Sequence, residues 1–245
     1  MDAHPPLESS VIWRAPRVYL PSLASKTGLL AETRLFLQTL ARLGDLAATR
    51  RALVDGALPQ RARETRETIV QVIHQRLFRW APPPWVVADL CAFAADMSHL
   101  TLASALLLHV ARQDALLYDV VQQVILPRWQ EGERLLIRAD VQGFLDRAQP
   151  SQPEIDGWSH GTREKLAGNV LSILRDYGLL QGTARKEIVE PNVPDVVAEH
   201  LVRLLRAEGL SDAAMATHPD WLLWLWDSRR ARSLISGIAY QEAVV

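Results

Sequence analysis

Along almost the whole chain, apolar residues return every three to four positions, the spacing that lines one face of an α-helix, while the two-residue alternation of a half-buried strand is almost absent. The pattern predicts an all-α, multi-helix globular protein. Leu29, Leu30, Thr33, Phe36, Leu37 and Leu40 fall on one face of a first helix, with Thr27 as a candidate cap and Gly44 as its stop. A shorter helix in DLAATRRALVDG ends at Gly56, and a longer one in ARETRETIVQVIHQRLFRW carries Ile69, Val72 or Ile73, Arg76 or Leu77, and Trp80 along one line. Three prolines, Pro82 to Pro84, lack the amide a helix interior needs and mark a rigid break. A helical pair follows, from Trp85 to about Arg112 and from Asp114 to about Leu126, the second ended by Pro127, and RLLIRADVQGFLDRAQ reads as one further helix.

The stretch Ser159 to Pro191 combines two patterns. Leu166, Val170, Ile173 or Leu174, and Tyr177 form a helical stripe; Ser159 or Thr162 can accept from first-turn amides, and Gly178 can end the helix in the left-handed conformation. Beyond that stop, Leu179-Leu180-Gln181 and Lys186-Glu187-Ile188-Val189 flank Gly182 to Arg185, enough for a short β-hairpin. A helix followed by such a hairpin predicts a winged-helix-like element in the C-terminal part of the chain.

PSQPEIDGWS, with two prolines and a glycine, is the best linker candidate. It divides the chain into an N-terminal tail (residues 1–17), an N-terminal helical domain (18–149) and a C-terminal helical domain (150–245). In the latter, VPDVVAEHLVRLLRAEG is one helix, and Trp221, Trp224 and Trp226 in DWLLWLWD are expected to anchor the C-terminal segment on the body. The leucine-rich run Met97 to Ala111 spans 15 residues and includes His99 and His109, short of the roughly 20 residues a membrane crossing requires. It is expected to be a buried helix.

Composition supports a folded, intracellular reading: 245 residues are 49% hydrophobic with mean hydropathy near zero, and a single cysteine, Cys91, cannot form an internal disulfide. MDAHPPLESS does not resemble a signal peptide, so a cytoplasmic location is expected. The net charge of −1 conceals an asymmetry, because residues 1–80 hold 12 Lys and Arg against 7 Asp and Glu. Ala48 to Trp80 alone carries seven arginines and three acids.

Candidate chemistry is sparse. Glycine-rich phosphate loops, H-E-x-x-H, paired cysteines and G-x-S-x-G elbows are missing from the sequence, and the seven histidines lack ligand spacing, so no catalytic residue, metal or cofactor is expected. The cations offer more. Arg50, Arg51, Arg61, Arg63 and Arg66 either form a surface of i,i+3 and i,i+4 ion pairs with Glu64 and Glu67 or converge on phosphates. In the winged-helix-like element, Arg163, Lys165, Asn169 and Ser172 are placed to approach a groove, with Arg185 and Lys186 on the wing, although Glu164, Asp176, Glu187 and Glu190 nearly cancel their charge.

The succession RVYLPSLASKTGLLAETRLFLQTL, ALVDGALPQRARETRETIVQVIHQRL, RQDALLYDVVQQVILPRW, DVQGFLDRAQ and WSHGTREKLAGNVLSILRDYGLL resembles the BrxA family of BREX phage-defence systems. The resemblance implies a helical, cytoplasmic, non-enzymatic component that binds double-stranded DNA, is similar to the antitermination factor NusB, and works beside a methyltransferase, a phosphatase-like protein and ATPases. Members have also been labelled inner-membrane proteins, which the 15-residue limit argues against. The matching positions are the Arg61 to Arg66 turn and the helix start at Thr162, Arg163 and Lys165. An overall charge of −1 is unusual for a tight DNA binder and leaves a protein-scaffold role, or NusB-like RNA binding, as alternatives.

Overall fold

The computed structural model describes residues 17–183 and 185–244, with side chains as far as Tyr240. Most of the expected tail, residues 1–16, lies outside them. Helix α1 (Leu30–Leu43) buries Thr33, Phe36, Leu37 and Leu40, the predicted face, and stops at Gly44, whose φ of +67° suits glycine. Thr27 does not cap it; the position before the helix is Leu29, itself left-handed at φ 54°. Helix α2 (Leu46–Ala52), capped by Asp45, runs into a π turn at Leu53–Ala57, and α3 (Arg63–Leu77) packs against that turn.

The helix expected from Trp85 to Arg112 is two. Helix α4 (Pro84–Ala95) starts at the last of the three prolines, and α5 (His99–Gln113) is separated from it by a tight turn. Asp96 makes that turn by accepting from Ser98 N and Thr101 Oγ1, Ser98 caps α5, and Arg34 donates to the carbonyls of Ala94 and Ser98. A second correction concerns Pro127, which does not end its helix. After α6 (Ala115–Val120) the backbone widens into a π turn at Val121–Ile125, with Leu126 N donating to Val121 O, and α7 (Leu126–Glu131) carries Pro127 in its first turn. There a missing amide costs little.

RLLIRADVQGFLDRAQ also divides. Strand β1 (Leu135–Leu136) comes first, and α8 (Arg138–Ala148) begins where Asp140 accepts from Ile137 N at 2.7 Å. The linker candidate folds into two 3-10 turns, Gln149–Ser151 and Pro153–Gly157, the second burying Ile155. Helix α9 (His160–Asp176) follows, then the expected hairpin, β2 (Leu180–Gln181) and β3 (Lys186–Ile188). All pairings are antiparallel in the order β1-β3-β2, with Leu135 opposite Glu187 and Leu180 opposite Ile188. Residue 150 therefore falls between α8 and α9, inside a strand–helix–helix–hairpin unit whose outer strand precedes it.

Helices α10 (Asp195–Ala207), α11 (Asp212–Ala216) and α12 (Ser228–Val244) complete the chain. One continuous apolar cluster runs from Tyr19 to Ile235 with α5 at its centre, Thr101 to Arg112 being buried throughout. Trp221 and Trp226 stack at 5.8 Å, Trp224 meets both edge-on, and all three are buried, as the anchor reading requires. Among the described residues no single helix is long and apolar enough to cross a membrane, and the apolar pair His99–Gln113 and Ala115–Glu131 bends by 110°.

Candidate nucleic-acid interface

The strand–helix–helix–hairpin unit is assembled around the buried stripe of α9. Leu166, Ala167, Val170, Leu171, Ile173 and Leu174 face inward, so positions between them are left for polar work. Ser159 caps the helix, accepting from Thr162 N at 3.1 Å and meeting Thr162 Oγ1 at 2.9 Å. That accounts for Thr162. Lys165, one turn on, is exposed. Arg138, the first residue of α8, lays its guanidinium over Gly168, with Nη2 only 3.3 Å from where a Cβ would stand. Arg185 is exposed beside the hairpin tip. Arg138, Lys165 and Arg185 have no ion pair among the described residues.

The other predicted cations of this unit are held by the protein. Arg163 donates to the carbonyl of Ile155 at 2.9 Å and to Gln149 Oε1 at 3.4 Å, tying the two 3-10 turns to α9, and lies 3.6 Å from Asp146 of α8. Lys186 is buried and donates from Nζ to the carbonyls of Gly182 and Thr183, at 3.0 and 2.7 Å, which closes the hairpin loop. Burial, reinforced by Arg175, pushes its pKa down. The polar residues expected in a groove are likewise bonded within the protein. Asn169 donates to the carbonyls of Leu23 and Ala24, at 2.9 and 3.0 Å, and Ser172 donates to Gly168 O within its own helix. A 3-10 turn at Pro21–Ala24 thus lies across the middle of α9, and only its N-terminal end is open.

The arginines of the N-terminal half separate into two groups. Arg66 turns back to the carbonyls of Val54, Gln60 and Arg61, between 2.6 and 2.8 Å, and so fastens the loop before α3. Arg61, exposed, contributes its carbonyl to that clamp. Arg50, Arg51 and Arg63 do meet, around an open cleft of about 720 Å³ between α2 and α3. Arg63 is paired there with Asp55 at 3.2 Å and Glu67 at 2.9 Å, which raises its pKa, while Arg50 and Arg51 have no ion pair among the described residues.

Two groupings escaped sequence reasoning. Arg138 was hidden because Leu135 and Leu136 were absorbed into a helical stripe; the signal was Asp140, three residues beyond Ile137, at the spacing of a helix start. The second is buried: His109 Nε2 lies 2.9 Å from His200 Nε2, and His200 Nδ1 lies 2.8 Å from Asp89. Those two histidines stand 91 residues apart, beyond any local motif. No group of three or more candidate metal ligands occurs among the described residues. Cys91 donates weakly to Leu37 O, and burial pushes its thiol pKa up, away from nucleophilic use.

Fold and site together define a mainly helical protein with one small antiparallel sheet, in which a few open cations sit on a helix–helix–hairpin unit. A crystal structure of an uncharacterized protein from Magnetospirillum magneticum shares this fold, with a TM-score of 0.64 and 20% identity over 79% of this chain and 96% of that one. The BrxA family model matches residues 17–204, and the chain belongs to the BrxA family. A search of curated proteins finds no match.

Proposed function

We propose that this protein is a non-enzymatic, duplex-DNA-binding component of a BREX phage-defence system, acting beside the methyltransferase, phosphatase-like protein and ATPases its family implies. The unit β1-α8-α9-β2-β3 is read as a winged helix-turn-helix, in which α9 takes the recognition-helix position and the β2–β3 loop the wing. One observation carries the reading: Arg138 on α8, Lys165 on α9 and Arg185 in the hairpin loop are exposed and have no ion pair among the described residues, a state shared in this unit by Arg147 near the end of α8.

The same geometry favours phosphate over base contacts. A recognition helix reads base edges when its polar face lies along the major groove, but Asn169 is held by the Pro21–Ala24 turn and Ser172 by its own helix. What remains is the N-terminal end of α9, where the helix dipole favours anions, with Lys165 exposed in its second turn and Arg138 laid over Gly168 further along the helix. Such contacts hold a duplex without reading its sequence.

Fluorescence anisotropy with a labelled DNA duplex tests the proposal. The variant carrying Arg138→Ala, Lys165→Ala and Arg185→Ala should bind at least about tenfold more weakly, since each lost phosphate contact forfeits counterion release. Unchanged affinity rejects the assigned surface. Stronger competition by unlabelled duplex RNA or single strands than by duplex DNA would transfer the reading to the RNA-binding alternative.

A further inference from the structure

The cleft between α2 and α3 has a different character from the helix–hairpin unit. Positions 47, 50, 51 and 54 follow one another at helical spacing along one wall, and 63, 67, 70 and 71 along the other. The cleft is therefore a groove between two helices joined through the π turn at Leu53–Ala57, a shape that a third helix fills. Its floor is apolar: Val70 is buried, Val54 half-buried, and Ala47 exposed at the rim. At one end Arg63 binds both Asp55 and Glu67, leaving one net negative charge there. Towards the other end stand Arg50 and Arg51, with Arg50 near enough to His74 to help depress its pKa after burial has done most of it.

We propose that this groove is a docking site for an amphipathic helix of a partner protein, with an apolar ridge on Val54 and Val70 and carboxylates facing Arg50 and Arg51. Charge complementarity selects the occupant. The cations left without an ion pair are two arginines beside apolar side chains, which suits a helix with acids along one edge. A nucleic-acid strand, charged at every phosphate, would have to pass Asp55 and Glu67 and would leave the apolar floor unused. Guanidiniums next to apolar surface are also the side chains enriched where interfaces are held.

The test uses the full chain and two synthetic helical peptides, both with leucines at three- and four-residue spacing, one flanked by glutamates and the other by lysines. Binding is read by fluorescence anisotropy, with circular dichroism confirming that each variant keeps the native helical signal. The acidic peptide should bind and the basic one should not. Arg50→Glu with Arg51→Glu should weaken the acidic peptide at least about tenfold, by replacing attraction with repulsion, and Ala47→Trp should do the same by filling the groove while leaving its charge intact. Duplex DNA affinity should be unchanged in both variants, which separates this site from the helix–hairpin unit. No binding of the acidic peptide, or equal binding by the variants, overturns the proposal. So does loss of duplex affinity in the Arg50→Glu, Arg51→Glu variant together with displacement of the peptide by duplex, which would make the groove a nucleic-acid surface.

Discussion

The guanidinium of Arg138 rests on Gly168, so that a methyl group at position 168 would stand 3.3 Å from Nη2 and 3.4 Å from Nε. The glycine is what lets a cation from α8 cross the face of α9. Alanine is the better helix former by about 1 kcal/mol in a helix interior, and an arginine side chain can lift by the few tenths of an ångström required. Gly168→Ala should therefore leave the melting temperature unchanged or slightly raised while displacing the cation, with duplex affinity falling by less than in Arg138→Ala. A large fall in melting temperature would show that the guanidinium is wedged rather than resting.

Asn169 joins the middle of α9 to the Pro21–Ala24 turn through two hydrogen bonds. Replacing it with alanine removes both donors and leaves the carbonyls of Leu23 and Ala24 to find new partners, a cost of about 1–3 kcal/mol. Asn169→Ala should lower the denaturant midpoint accordingly and speed proteolytic cleavage near residue 24 before the rest of the chain is attacked. Cleavage that begins elsewhere at the wild-type rate would mean that the turn is held by its other contacts.

Much of the fold is written in local pattern. The buried stripes of α1, α3 and α9, the stop at Gly44, the Ser159 cap and the hairpin all follow from spacing and residue type. The errors arise where a local rule met a non-local or less common solution. A π turn before Pro127 let a helix continue through proline; a two-residue strand was too short to show alternation; and Asp96, through its bonds to Ser98 N and Thr101 Oγ1, broke what looked like one long helix. For the candidate site, a run of cations shows charge but not its partners. Nothing local marks Lys186 as the residue that closes its own hairpin, or shows that Asn169 bonds to a turn 145 and 146 residues away.

His109 and His200 make the core sensitive to acid. His109 faces His200, Arg112 and Trp80, and His200 faces Asp89, Arg203, Trp85 and Phe93. Burial pushes the pKa of both downward; neighbouring positive charge adds to this, and Asp89 only partly opposes it at His200. The unfolded chain thus binds protons that the folded one refuses. The stability is complete above the ordinary histidine value of about 6.5 and is lost as pH falls below it, by up to about 1.4 kcal/mol per pH unit for each histidine. Melting temperatures should be level above pH 7 and decline towards pH 5, and His109→Phe, which keeps a flat ring against Trp80, should make the decline shallower. An equal decline in wild type and variant would place the acid sensitivity elsewhere.

The most direct test of the duplex-binding account is the salt dependence of affinity. Plotting the logarithm of the association constant for a DNA duplex against the logarithm of salt concentration gives a slope that counts the phosphates neutralised, at about 0.9 per contact. If Arg138, Lys165 and Arg185 each contact a phosphate, the triple alanine variant should show a slope shallower by roughly 2–3 than the wild type. An identical slope in the two proteins would contradict the account.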